Sequence, residues 1–200
     1  MNKLRFIVMI TIAATTSPYA HSSPLIHSLS SCNSSFFKTL SDNKDISTII
    51  SNFYEAGISE GEYKRLIDLS DNGIKLDSFN FSYTNFGKYQ SSSLGAPTGK
   101  YYYWGFESNQ PIAEVAQSIS DKIDIVKVSN DTYIYNPEYR NSLKDAWKAN
   151  YSPLGGVAPD KDSAEKLFIM ESNDNGGTTI YCSIQGNVND DDLRNAGLLK

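Results

Sequence analysis

The apolar pattern near the start of the chain predicts a helical hairpin. Over 45–57, apolar residues recur at the i, i+3, i+4 and i+7 spacing of one helix face, and Gly57 follows as a stop signal. Ser59 and Glu62 have the spacing of a capping box, which predicts the start of a second helix. That helix is expected to end at 72–73, where Asn-Gly interrupts it. Because the two helices are tightly joined, we expect them to lie antiparallel.

Further along the chain, apolar and polar residues alternate, as in half-buried β-strands. Strands are predicted over 79–84, 101–107, 124–128, 132–135, 166–171 and 178–184. Helices are predicted among and after these strands, over 111–123, over 137–150 and from Asp190. The Asn-Asp-Asn-Gly-Gly segment at 173–177 predicts a hairpin turn. This order predicts an α+β fold: an N-terminal helical hairpin followed by a mostly antiparallel sheet with helices packed on one face.

The first 22 residues have the layout of a secretory signal peptide. Two basic residues precede an apolar segment, 6–14, that is too short for a stable membrane span. Cleavage after Ala20 or Ser22 would leave a single α+β domain over 23–200. An uncleaved N-terminal anchor is the alternative. No later segment is apolar enough to span a membrane, so we expect a soluble periplasmic protein with no membrane association after signal removal.

Two cysteines, Cys32 and Cys182, remain in the exported chain. An even cysteine count in an oxidising compartment predicts one disulfide, which would close a very long loop and add roughly 4–5 kcal/mol. Two alternatives stay open. The segment 29–32 (Leu-Ser-Ser-Cys) resembles a lipobox, in which Cys32 would be lipidated, although a long polar stretch separates it from the apolar segment. In the second alternative, both cysteines are free thiols.

Composition narrows the classes of partner. The chain has 200 residues, of which 40% are hydrophobic and 20% are charged, as in a globular protein. Lys and Arg number 18 against 23 Asp and Glu, giving a formal net charge of −5. A net acidic chain without a run of basic residues is a poor nucleic-acid binder. The acidic balance suits a basic protein partner instead.

Several chemistries lack the residues that they require. The two histidines, His21 and His27, both fall in the polar segment 21–31, which is expected to be loose. Catalytic triads and zinc sites are therefore not expected. The chain contains no G-x-G-x-x-G or Walker motif. The segment 171–176 alternates oxygen ligands like a calcium loop, but Cys182 stands where the loop needs its bidentate Glu. We predict no cofactor, no metal ion and no catalytic residue.

A pair of carboxylates could still hydrolyse glycosides, because such a pair is formed in space and not along the sequence. Nothing in the sequence selects two of the candidates, and a solvated surface role explains each one. The candidates are Glu107, Glu114, Asp121, Glu138 and Glu171.

The aromatic run at 101–106 has two interpretations. Alternate residues of the strand fill the core, or Tyr101, Tyr103 and Trp104 form an exposed binding surface, flanked by loops at 88–99 and 151–161. The second interpretation supports a protein-binding module of the envelope, including an inhibitor or immunity protein against a periplasm-acting toxin or hydrolase. The alternatives are a carbohydrate- or small-ligand-binding periplasmic protein and a histidine-independent cell-wall hydrolase.

Overall fold

The computed structural model describes residues 25–88, 97–151 and 159–200. The predicted signal peptide lies outside these residues, as does most of the two predicted loops at 88–99 and 151–161. Within the described segments, no helix is both long and apolar enough to cross a membrane.

The described residues form five α-helices, eight β-strands and one turn of 3-10 helix at Phe86–Lys88. The helices are α1 (Leu25–Ser30), α2 (Ser34–Asp42), α3 (Ser47–Ala56), α4 (Ile112–Ile119) and α5 (Asp190–Ala196). The strands are β1 (Gly61–Asp71), β2 (Ile74–Asn85), β3 (Lys100–Ser108), β4 (Val126–Lys127), β5 (Thr132–Arg140), β6 (Lys148–Ala149), β7 (Ala164–Ser172) and β8 (Thr178–Gly186).

All eight strands belong to one antiparallel sheet in the order β1-β2-β3-β8-β7-β5-β4, with β6 also paired to β5. Although β8 follows the other strands in the chain, it lies between β3 and β7 and joins the two halves of the sheet. The predicted α+β class, with helices first and a mostly antiparallel sheet, is confirmed.

The main core lies between the helices and one face of the sheet, which we call the helix face. Phe36 of α2 packs against Phe79 of β2 and Phe106 of β3. All the buried apolar residues of the five helices belong to this one cluster. The opposite face, which we call the open face, carries a separate small cluster of Ile134, Leu167 and Ile169 that includes no helix residue.

A disulfide between Cys32 and Cys182 joins the turn after α1 to β8. Cys182 pairs in register with Trp104 of β3, so the bond lies at the middle of the helix face. The predicted disulfide is confirmed, and no free cysteine remains. Lipidation of Cys32 and two free thiols are both incompatible with this bond, because the disulfide uses both sulfur atoms.

A buried ion pair joins the far half of the sheet to α5. Arg140 of β5 donates two hydrogen bonds to the carboxylate of Asp192, and one to the carbonyl oxygen of Asn187 at 2.9 Å. The two side chains are only 5% and 4% exposed. Asp192 also accepts from the Asn189 backbone at 2.9 Å, so the same carboxylate completes the capping box of α5. Removing one partner of such a pair leaves an uncompensated buried charge.

The predicted second helix of the hairpin is wrong, because the segment forms β1. Asn72 and Gly73 have φ values of 51° and 80°, which make them a two-residue turn between the paired residues Asp71 and Ile74. Glu62 does not cap a helix, since it lies opposite Ser82 in the β1–β2 ladder. The first predicted helix, over 45–57, is confirmed as α3.

The predicted helix over 137–150 is also wrong, because β5 continues to Arg140. A register shift between Tyr135 and Glu138 places Pro137 in a β-bulge, and Asn136 has a φ of 46°. A bulge is a position where the missing proline N–H costs no ladder hydrogen bond. The remaining predicted strands and the helices at α4 and α5 are present, although several have shorter or longer bounds.

The described part of the segment expected to be loose, residues 25–31, contains α1 and contributes to the core. Leu25, Ile26 and Leu29 of α1 are fully buried, while His27 is exposed on the same helix. The carboxylate of buried Asp71 accepts a hydrogen bond from the backbone N–H of Ile26 at 2.7 Å, which satisfies a free donor at the start of α1. α2, which begins after the Asn33 cap, was not predicted.

Replacing both Cys32 and Cys182 with Ala is expected to lower the free energy of unfolding by up to about 5 kcal/mol, because the bond closes a loop of 150 positions. Urea unfolding of the oxidised protein, the reduced protein and the double variant measures this. The reduced protein serves as the control for cavity effects. Equal midpoints for the oxidised and reduced proteins would contradict the expected contribution of the bond.

Candidate functional site

The open face has one position in its middle without a side chain. Strand register places Gly105 of β3 between Asn80 of β2 and Tyr181 of β8. Along β3, the neighbours on the same face are Tyr103 and Glu107, since alternate residues share a face. Gly105 is therefore the floor of a depression bounded by four side chains.

Glycine is required at this position by the approach of β3 to β8. A Cβ atom on Gly105 would lie 2.1 Å from the carbonyl oxygen of Ile180 and 2.6 Å from the Cα of Tyr181. Both neighbours are backbone atoms, so a rotamer change cannot relieve the contact. The depression is thus a direct result of strand geometry.

The depression widens into a groove of about 350 Å³. This lies within the range of small-ligand sites, near its lower end, at roughly 300–1,000 Å³. Two aromatic rings, Tyr103 and Tyr181, form one wall and meet edge to face at 5.7 Å between centroids. The opposite wall is polar and comes from β1 and β2. Its residues are Glu62, Lys64, Asn80 and Ser82.

A chain of hydrogen bonds orients the polar wall. Lys64 pairs with Glu107 Oε2 at 2.6 Å, and Ser78 donates its hydroxyl proton to the same oxygen at 3.2 Å. With that proton used, the Ser78 oxygen accepts from Asn80 Nδ2 at 3.0 Å. The Asn80 amide is therefore fixed, and its Oδ1 is buried with no donor among the described residues.

No protein-family model, no curated protein and no solved structure matches this chain. The groove and the residues around it are therefore the main evidence on function.

The two tyrosines of the wall are held in their neutral form. Burial, with the nearby Tyr101 and Glu171 adding to it, raises the pKa of Tyr103 to about 12. Burial also raises the pKa of Tyr181, and the adjacent Glu171 carboxylate raises it further. The Tyr181 hydroxyl donates to Glu171 Oε2 at 2.5 Å, which leaves the ring fixed against the groove. Both tyrosines can therefore contribute ring surface and neutral hydroxyl groups at physiological pH.

Of the predicted binding surface, Tyr103 alone is partly accessible. Trp104 is 1% exposed and points to the helix face, and Tyr101 is 5% exposed on the open face. These two residues cannot contact a partner as the structure stands, because strand alternation places Trp104 in the core and neighbouring side chains cover Tyr101. Their burial agrees with the core-filling interpretation of the aromatic run.

The five candidate carboxylates divide between the two faces. Glu107 and Glu171 lie on the open face, on either side of Thr179, so their backbones are two strand spacings or about 10 Å apart. Glu138 pairs with Lys166 at 2.7 Å. Glu114 is exposed on α4, and Asp121 is exposed just beyond that helix. Both open-face carboxylates accept hydrogen bonds, Glu107 from Ser78 and Glu171 from Tyr181, and of the two Glu107 lines the groove.

Metal ligands are not clustered in the part of the chain that the structure describes: it contains no group of three or more His, Cys, Asp or Glu that could hold an ion. The calcium-like segment is a hairpin turn between β7 and β8, in which Asn173 Oδ1 accepts from the backbone of Asn175 and Gly177. Those bonds use the oxygen that an ion would need.

Sequence reasoning missed Lys64, Asn80 and Tyr181 as site residues. The capping-box pattern predicts a helix that includes Lys64, and a helix there would not place Lys64 beside Glu107. The Asn72-Gly73 pair was the available signal, because Asn-Gly between two alternating segments indicates a β-hairpin. That hairpin would have placed Lys64 and Asn80 side by side.

Another ionisable side chain, that of Glu165, lies on the open face in the register row next to that of Tyr103. Glu165 of β7 accepts from Asn150 Nδ2 at 3.1 Å and shares a register row with Tyr101. Burial raises the pKa of Glu165, and the hydrogen bond from Asn150 opposes this only in part. Burial raises the pKa of Tyr101 as well, with the Glu165 charge adding to the effect.

Gly105→Ala is expected to lower the free energy of unfolding by about 1–3 kcal/mol, because the added methyl group forces β3 and β8 apart. Chemical denaturation measures the change. Ser82→Ala, on the same face of the next strand, is the matched control and should stay within about 0.5 kcal/mol. Wild-type stability in Gly105→Ala would show that the strands separate without cost.

Glu165→Gln is expected to flatten part of the pH dependence of stability. Because the folded pKa is raised, the stability due to Glu165 is fully present below its ordinary value of 4.5 and is lost as pH rises through the folded pKa. The wild type should therefore lose stability relative to Glu165→Gln as pH rises over that window. Urea unfolding of both proteins across this window tests it, and a difference that grows in the opposite direction would refute the sign.

Proposed function

We propose that this protein is an exported protein-binding module and that it binds its partner through the open face. The observation that carries the proposal is the groove floored by Gly105, which combines two neutral tyrosines with a polar wall. The helices contribute their buried apolar residues to the other face, so a partner on the open face need not displace them. The partner we expect has a basic surface.

Aromatic and charged side chains support this function. Tyrosine supplies large contact area at a low cost in conformational entropy, which explains its enrichment at binding sites. The net charge of −5 would speed association with a basic partner. One specific form of the function is an inhibitor or immunity protein that blocks a toxin or hydrolase in the periplasm.

Export is supported by two independent features. The N-terminal segment has the composition of a signal peptide. The disulfide between Cys32 and Cys182 belongs to the kind that persists in oxidising compartments such as the periplasm.

A small-ligand or carbohydrate site is the second candidate function. The groove volume of about 350 Å³ falls within the range of such sites, and sugars bind on aromatic rings beside polar groups. A cell-wall hydrolase is less well supported, since Glu107 and Glu171 both accept hydrogen bonds from neighbouring donors.

Affinity capture from envelope extracts tests the function. The oxidised protein, the Tyr103→Ala variant and the Glu107→Gln variant are each immobilised, and retained proteins are quantified by mass spectrometry. We expect one near-stoichiometric partner on the wild type and at least about ten-fold less on Tyr103→Ala, as for a central aromatic contact.

Glu114→Gln is the matched control for Glu107→Gln, because it removes the same charge from α4 on the other side of the molecule. It should retain the partner. If Tyr103→Ala and Glu107→Gln each retain as much partner as the wild type does, the partner binds elsewhere on the molecule. No retained protein, together with binding of a glycan or metabolite, would favour the second candidate function.

A further inference from the structure

The charged groups that line the groove leave one negative charge uncompensated. They are Glu62, Glu107 and Lys64, and Lys64 is already neutralised by Glu107 at 2.6 Å. The negative charge of Glu62 is therefore left over. An occupant that carries a positive charge and donates hydrogen bonds complements this surface.

The aromatic wall favours a flat cation over a neutral donor. The rings of Tyr103 and Tyr181 line the groove, and neutral aromatic rings attract cations through their faces. A guanidinium is planar, carries five N–H donors and no acceptor, and stacks on aromatic rings. Its N–H donors thus complement the carboxylates of Glu62 and Glu107 in the same groove.

The size of the groove excludes a whole helical turn of a partner. One turn of an α-helix has a diameter of about 10–12 Å and a pitch of about 5.4 Å. That volume exceeds the roughly 350 Å³ available. A protruding side chain, in contrast, can enter the groove while the rest of the partner's surface stays outside.

We infer that the groove around Gly105 binds an arginine side chain presented by a basic partner protein. This inference rests on the proposed function, because it specifies what the open face recognises. Lys64 occupies part of the site in the free protein, and the incoming guanidinium competes with it for Glu107. Lys64 is thus a specificity residue that reduces affinity.

The test uses a probe of one side chain. ¹⁵N-labelled protein is titrated with Nα-acetyl-arginine amide at low ionic strength, and the backbone amides of Asn80, Gly105 and Tyr181 report binding. Nα-acetyl-glutamine amide is the uncharged control. A chitooligosaccharide tests for sugar binding at the same site.

We expect saturable shifts at these three amides with the arginine probe, and none with the glutamine probe. Glu107→Gln should weaken the Kd about ten-fold, as for loss of a charge-assisted hydrogen bond. Lys64→Met should tighten the Kd several-fold, because it frees Glu107. Glu114→Gln should match the wild type. The thermal midpoint of each variant checks folding, since an exposed pair such as Lys64–Glu107 contributes little to stability.

Two results would overturn the inference. One is an arginine titration that leaves the groove amides unshifted, or shifts them equally in wild type, Glu107→Gln and Lys64→Met. The other is stronger binding of the chitooligosaccharide than of the arginine probe. If the affinity capture still depends on Tyr103, only the choice of arginine fails. If capture is independent of Tyr103, the proposed function of the open face fails with it.

Discussion

The disulfide between Cys32 and Cys182 determines which face of the sheet the N-terminal helices cover. Cys182 lies on a central strand, and its side chain points to one face because successive residues alternate. Its neighbours Tyr181 and Ser183 must therefore point to the other face. By holding the turn after α1 against β8, the bond directs the helices of the N-terminal segment to one face and leaves Tyr181 in the groove on the other.

The two faces of the sheet consequently have different roles. On the helix face, aromatic packing around Phe36, Phe79 and Phe106 supplies stability. On the open face, the close approach of β3 and β8 excludes a side chain at Gly105 and creates a depression. The hydrogen bonds that run from Lys64 to Asn80 then give the depression a fixed polarity. Substitutions of the side chains around Gly105 should therefore change recognition with limited effect on the main core, whereas a substitution of Gly105 itself would disturb the sheet.

The strands with strict alternation were predictable from the sequence because local patterning and tertiary packing agree there. At Ser59 and at Pro137, local helix signals were overridden by pairing with β2 and β7. The Asn72-Gly73 turn is a local sign of the first pairing, whereas the pairing of β5 with β7 depends on residues that are distant in the sequence. Of the groove side chains, Tyr103 was predicted as a binding residue, and Glu107 was predicted only as one of five candidate carboxylates. Lys64, Asn80 and Tyr181 reach the groove through cross-strand register, which depends on turns and bulges far from each residue in sequence.

The central place of β8 has a consequence for the order in which the molecule can be completed. A chain is synthesised from its N-terminus, so β1–β3 and β4–β7 emerge before the strand that joins them. Until β8 arrives, β3 and β7 each have an unpaired edge, and Cys32 has no partner. Such long-range pairing is slow, and open edges promote aggregation. The unfinished chain is therefore most prone to aggregation just before β8 is available to pair with β3 and β7.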